Sequence, residues 1–121
     1  MYATQSNTAK RFAERINKDS KILKLKSTVK NISEISINDF ENNLFMVFLV
    51  STYGEGGPSD DAIEFDKLLE KNNKGFKKEN GIYLNEFNYS IFGLGSRKYE
   101  HFNAMAKKID TVLNKSGCTR Y

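Results

Sequence analysis

The stretch LFMVFLVSTYGEGGPSDD, residues 44–61, decides the fold. From Leu44 to Val50 it carries no charge and no alternation of apolar with polar residues, which is how a strand reads when both of its faces are buried in a parallel sheet. Past Val50 the chain must turn. Gly54, Gly56 and Gly57 let the backbone take positive φ or lie close against a ligand, Pro58 fixes one φ, and Ser59, Asp60 and Asp61 open a helix with acids in its first turn. Open α/β sheets bind ligands beyond the carboxyl ends of their strands, so Tyr53 stands at a candidate ligand rim.

Working outward, residues 1–3 read as the end of a strand, and Thr4, Gln5, Ser6, Asn7 and Thr8 as a hydroxyl-rich turn into a helix. Ala9, Phe12, Ala13 and Ile16 share one face of that helix. KILKLKST sets Ile and Leu against lysine, which predicts a half-exposed edge strand over 22–28. Residues 29–43 hold a short helix around Ile35, Ile37 and Phe40. After the glycine turn comes a helix with Ala62, Phe65, Leu68 and Leu69 inward, then NNKGFKKEN at 72–80, a solvated loop. A strand over 89–92 runs into Gly93, Leu94, Gly95, Ser96 and Arg97, a second glycine-bearing turn. Phe102, Met105, Ala106, Ile109, Val112 and Leu113 then make one apolar helix face, which Gly117 ends as a left-handed cap. Strands alternating with helices predict a single domain over 1–121, built as a doubly wound parallel α/β sheet with right-handed crossovers.

Composition narrows the function. No run approaches the roughly 18 to 20 apolar residues of a membrane span, and residues 1–8 do not read as a secretory signal. The expectation is a soluble monomer with no membrane contact. A lone cysteine, Cys118, has no disulfide partner and no companion for a metal site, so a reducing, cytoplasmic compartment fits and a metal does not. The net charge of +4 invites a nucleic-acid reading, yet between Tyr53 and Glu70 six acids stand against Lys67 alone. An acidic rim on a basic chain is the reverse of what a phosphate backbone requires, so no nucleic-acid partner is expected.

Three turns meet at the rim: 4–8, 51–59 and 93–99. The first offers hydroxyls and backbone N–H groups at a helix start, either an anion site or an ordinary N-cap. It lacks the glycines and the lysine of a triphosphate-binding loop. The other two each carry a tyrosine, Tyr53 and Tyr99, suited to gripping a flat ring. Together they fit a mononucleotide with a large planar head. No residue is assigned acid–base catalysis, and His101 reads as a packing residue at a helix start.

TQSNTA, STYGEGGPSDDA and FGLGSRKYEHFNAMAKKID, in that order and in register, resemble the FMN domain of the diflavin reductase family, closest to its NADPH:cytochrome P-450 reductase branch. That resemblance implies a flavodoxin-like fold with strand order 2-1-3-4-5 and FMN at the switch point between strands 1 and 3. It assigns Thr4, Gln5, Ser6, Asn7 and Thr8 to the FMN phosphate turn, and Tyr53 and Tyr99 to stacking on the isoalloxazine. Thr52, Gly54, Gly56, Leu94, Gly95, Ser96, Phe102 and Asn103 line the ring or ribityl chain. The peptide at Gly54 and Glu55 lies near flavin N5, where a flexible glycine lets a carbonyl accept a hydrogen bond. It further implies an oxidoreductase: electrons from an FAD/NADPH domain pass singly through FMN to a haem or iron–sulfur acceptor, in the cytosol or on the cytosolic face of the endoplasmic reticulum.

The departures are specific. The family usually has glycine at Asn7; asparagine tolerates positive φ best after glycine, so the turn can close. Gly57 replaces an acid common in the branch, and the loop at 72–80 is longer. In register, Met1 falls inside strand 1 and Tyr121 at the start of strand 5, so the expected domain is truncated in strand 1 and lacks most of strand 5 and the last helix. Glu55, Asp60, Asp61 and Glu64 are candidates for steering a basic partner, with macrodipole capping as the plain alternative. The competing functional reading is a flavodoxin-fold binding module that no longer holds flavin. A phosphorylatable receiver domain is excluded because Ser51 and Thr52 stand where it needs an aspartate.

Overall fold

The structure is a computed structural model that describes residues 1–42, 45–76 and 87–121. In chain order its elements are β1 (Tyr2–Ala3), α1 (Thr8–Ile22), α2 (Ile37–Asn42), β2 (Phe45–Tyr53), β3 (Gly57–Pro58), α3 (Ile63–Lys71), β4 (Asn88–Leu94), α4 (Ala104–Lys115) and β5 (Thr119–Arg120). The strands β1, β2, β4 and β5 lie side by side in that order, all parallel, and β3 folds back antiparallel on the end of β2. This is the flavodoxin-like α/β architecture the sequence predicts.

Alternate residues of β2 serve two cores. Met46, Phe48 and Val50 pack with Phe65, Leu69, Met105, Ile109 and Leu113 from α3 and α4. Leu49, flanked by Val47, packs with Ala9 and Ala13 of α1. A strand covered by helices on both faces needs apolar residues at every position, which is why 46–50 shows no alternation. The second core is small. Phe12 and Ile16, predicted to face inward, are 48% and 40% exposed, and Phe45 and Phe92 on the same side of the sheet are also exposed. Among the described residues α1 is the one helix on that side, and it is too narrow to cover them.

Two other expectations fail. The edge strand over 22–28 does not form: α1 runs on to Ile22, and Lys24, at φ +58, closes it as a left-handed cap. Leu25 N–H then donates to Ser20 O and Lys24 N–H to Lys21 O, the paired bonds of a Schellman ending, so Ile22, Leu23 and Leu25 finish a helix and stay exposed. What lies beside β1 is a single bridge from Tyr2 to Asn31, so strand 2 of the expected order is absent as a strand. Within 72–80, Asn72 and Phe76 are buried rather than solvated; 77–80 lies outside the described residues. The short helix around Phe40 does form, entered through Ser36, whose N–H and hydroxyl both donate to Asp39.

The C-terminal helix follows the prediction closely. Gly117, at φ +86, donates to Asn114 O, and Cys118 N–H to Leu113 O. Burial pushes the Cys118 thiol up to about 11, so it stays protonated inside the core. Burial, with the Asp110 carboxylate accepting its hydrogen bond at 2.7 Å, also raises Tyr89, a tyrosine wholly consumed by packing.

The two Schellman endings give paired predictions. Left-handed φ costs a non-glycine residue about 1–2 kcal/mol. Lys24→Gly should therefore raise unfolding stability by about 0.5–1 kcal/mol, and Gly117→Ala should lower it by about 1 kcal/mol, both read from urea denaturation midpoints.

Candidate functional site at the strand ends

Register puts the three turns on one edge. Ala3 pairs with Val50 and Ser51 with Leu94, so β1 and β4 end within one residue of each other along β2, which runs on two residues further, to Tyr53, on the same edge of the sheet.

The first turn is open. Gln5, Ser6, Asn7 and Thr8 are exposed, with Ser6 Oγ and Thr8 Oγ1 3.2 Å apart. Asn7 takes φ +62, the left-handed geometry expected of a glycine replacement. Its side chain makes no cap bond to α1, so the N-cap alternative is not what the structure displays. Thr4 Oγ1 is buried without a hydrogen-bond partner.

The second turn is a tight hairpin. Tyr53 pairs with Gly57 across Gly54, Glu55 and Gly56, and Gly54 takes φ +56 with open space where a Cβ would be. Tyr53 is 55% exposed on the last residue of β2. Gly56, at φ +99, allows close approach of the third turn: a Cβ there would come within 2.7 Å of His101 Cβ. His101 therefore packs against the hairpin.

The third segment winds as successive tight turns, with Tyr99 N–H donating to Ser96 O and Phe102 N–H to Tyr99 O. They hold Tyr99 out at 68% exposure. Leu94 and Ser96 are half-buried, and Gly95 is exposed beside them.

Three other predicted residues are half-buried. Thr52 Oγ1 accepts from Met105 N–H at 3.4 Å, capping the start of α4. Phe102 precedes α4 rather than lying on it, its ring 5.1 Å from Lys107 Nζ. Asn103, at φ +57, tucks its amide against Gly93, where a Cβ would meet Asn103 Cγ at 2.5 Å, and its Oδ1 is buried without a partner.

Three of the four candidate acids, Asp60, Asp61 and Glu64, are engaged within the chain. Asp61 accepts from Thr4 N–H at 3.2 and 3.1 Å and from Asn31 Nδ2 at 2.9 Å, tying the first turn to the exit of the second. Asp60 N–H donates to Gln5 Oε1 and Gln5 Nε2 to Asp60, bridging the same two turns. Glu64 pairs with Lys67. Sequence reasoning missed the tie to Asp61 because its partners lie 57 and 30 residues away and no local pattern encodes them.

Elsewhere, a concavity of about 650 Å³ between α3 and α4 is braced by Lys108, which pairs with Asp66 at 2.6 Å and Glu70 at 3.0 Å. Among the described residues no cluster of His, Cys, Asp and Glu could hold a metal, and no helix is long and apolar enough to cross a membrane.

The flavodoxin family profile matches residues 1–121. The chain belongs to the flavodoxin family. This flavodoxin-family chain is 36% identical to NADPH–cytochrome P450 reductase of Oryctolagus cuniculus and 35% identical to that of Sus scrofa, over 98% of its own length and 17% of theirs. It thus spans about a sixth of these relatives. Among solved structures, a short-chain flavodoxin associated with a non-canonical PDU bacterial microcompartment superimposes with a TM-score of 0.77 at 25% identity, covering 98% of this chain and 74% of that one.

The two glycines beside β4 separate packing from access. Gly93→Ala drives a methyl into Asn103 and should cost about 1–3 kcal/mol. Gly95→Ala meets only ordinary contact at 3.6 Å and should change stability by less than about 0.5 kcal/mol. Thermal or urea unfolding of the two variants checks the contrast.

Proposed function

We propose that this chain binds FMN at the strand-end rim and works as an electron-transfer domain, receiving electrons from an FAD/NADPH reductase domain and passing them singly to a haem or iron–sulfur acceptor. The observation that carries the reading is the joint display of two exposed tyrosines, Tyr53 and Tyr99, beside a turn that Asn7 leaves without a side-chain cap and whose Thr4 hydroxyl is buried without a partner. The family membership and the reductase relatives support it from outside the site.

The residues present fit a phosphorylated flavin. Thr4, Gln5, Ser6, Asn7 and Thr8 would hold the phosphate, since hydroxyls and main-chain N–H groups at a helix start suit an anion. Tyr53 and Tyr99 would close on the two faces of the ring. Such aromatic pairs add about 0.5–1.5 kcal/mol beyond the area they bury. Leu94, Gly95 and Ser96 would border the ribityl chain, and the Gly54–Glu55 and Gly56 backbone, with no side chain at Gly54, would approach the ring edge. Thr52 and Asn103 would act from behind, by fixing the start of α4 against β2 and β4, and Phe102 would stand just before α4, beside them. Bound FMN supplies the step between two-electron donors and one-electron acceptors, chemistry that belongs to the cofactor and not to side chains.

Two consequences concern the acids. Asp60 and Asp61 hold the rim together, and Glu55 remains exposed on the hairpin as the charge best placed to meet a basic acceptor. Electron passage at such an edge requires a cofactor rim open to solvent, consistent with how little of Tyr53 and Tyr99 is covered.

Titrating FMN with the chain should quench flavin fluorescence, with saturation by about 50 μM. Tyr53→Ala and Tyr99→Ala should each weaken binding by roughly three- to tenfold. Unquenched flavin at that concentration would favour the binding-module reading, and unchanged affinity in both variants would refute the stacking assignment.

A further inference from the structure

We propose that Asp61 is a positioning residue that shapes the phosphate turn at the cost of repelling the phosphate, and so sets how strongly the site prefers FMN over unphosphorylated riboflavin; this rests on the flavin reading above. The carboxylate lies where three segments meet. It accepts both arms of a forked bond from Thr4 N–H, the Asn31 side-chain amide, and the Ser59 hydroxyl, and Ser59 is fully buried. All these donors are neutral. Among the described residues no cation pairs with Asp61; Lys30, the nearest in sequence to Asn31, is engaged with Asp39 at 2.7 Å.

The arrangement has two opposing effects. By fixing Thr4 N–H, Asp61 sets the first residue of the turn against the hairpin exit, and the Gln5–Asp60 pair repeats the tie one residue later. The turn is thus preorganised before any ligand arrives, which reduces the ordering cost of binding. The same carboxylate places a full negative charge behind a turn that would receive a dianion, and takes Thr4 N–H out of the set of donors that could face it. Thr4 Oγ1, buried and unpartnered, is left as the donor Thr4 can offer. Riboflavin lacks the phosphate and does not engage this turn, so it feels neither effect; FMN feels both, with opposite signs. The direction of change in the ratio of their affinities separates the two: removing the charge raises it, whereas a merely structural role for Asp61 lets its replacement only lower it.

Asp61→Asn keeps an acceptor for Thr4 N–H and Ser59 while removing the charge. It should raise the ratio of FMN to riboflavin affinity by roughly three- to tenfold, measured by fluorescence titration of both ligands. A ratio unchanged or lowered would overturn the proposal. A readout without flavin stands beside it. Hydrogen exchange of the free chain should show Thr4 N–H protected in the wild type and in Asp61→Asn, and about tenfold faster in Asp61→Ala. An unprotected Thr4 in the wild type would overturn it even if no variant folds. Absence of binding by either ligand to the wild type, with Thr4 protected, would instead count against the flavin reading and leave the clamp standing.

Discussion

Seven consecutive pairings between β2 and β4, from Phe45 opposite Asn88 to Ser51 opposite Leu94, are the constraint from which the rest of the molecule follows. Parallel strands in register send their carboxyl ends to one edge, so the hairpin after Tyr53 and the turns after Leu94 lie on the same side of the sheet. A slip of one residue would turn Met46, Phe48 and Val50 away from α3 and α4 and carry Tyr53 off the edge. The two-sided burial of β2 is therefore what fixes the geometry of the rim, although none of the core residues reaches it.

The rim has cohesion of its own. Asp61 joins Thr4, Asn31 and Ser59; Gly56 admits His101; Thr52 caps α4; Asn103 packs under Gly93. The links from Asp61 to Thr4 and Asn31, from Gly56 to His101 and from Thr52 to α4 run between segments far apart in the chain. The turns are consequently braced by one another as well as by their own short-range bonds, which suits a rim that keeps aromatic faces exposed and still holds them in place. The opposite side of the sheet differs: Phe12, Ile16, Phe45 and Phe92 surround a core made of little more than Ala9, Ala13 and Leu49.

What could be read in the sequence was what periodicity and turn chemistry encode. The unbroken apolar run over 46–50, the helix face from Met105 to Leu113 and the cap at Gly117 are local patterns with one physical interpretation each, and they held. The stretch at 22–28 misled because alternating Leu and Lys suits the last turn and cap of a helix as well as an edge strand, and Lys24 gave no glycine signal for its left-handed φ. Asn7 did give such a signal and was read correctly. Among the site residues, the exposed tyrosines were legible because aromatics among glycines are locally odd. The inward turn of Thr52 and Asn103 and the clamp at Asp61 depend on tertiary contacts that no window of sequence contains.

The account stands on two tyrosine rings and one hydroxyl-rich turn being brought to a single ligand by the register of a parallel sheet. Nuclear magnetic resonance of the isotope-labelled chain with unlabelled FMN tests this most directly. The account predicts cross-peaks from the ring protons of the flavin to both Tyr53 and Tyr99, together with shifts of the Gln5, Ser6, Asn7 and Thr8 amides. Cross-peaks to neither tyrosine, with shifts gathered instead along the groove between α3 and α4 or around Phe12 and Ile16, would contradict it.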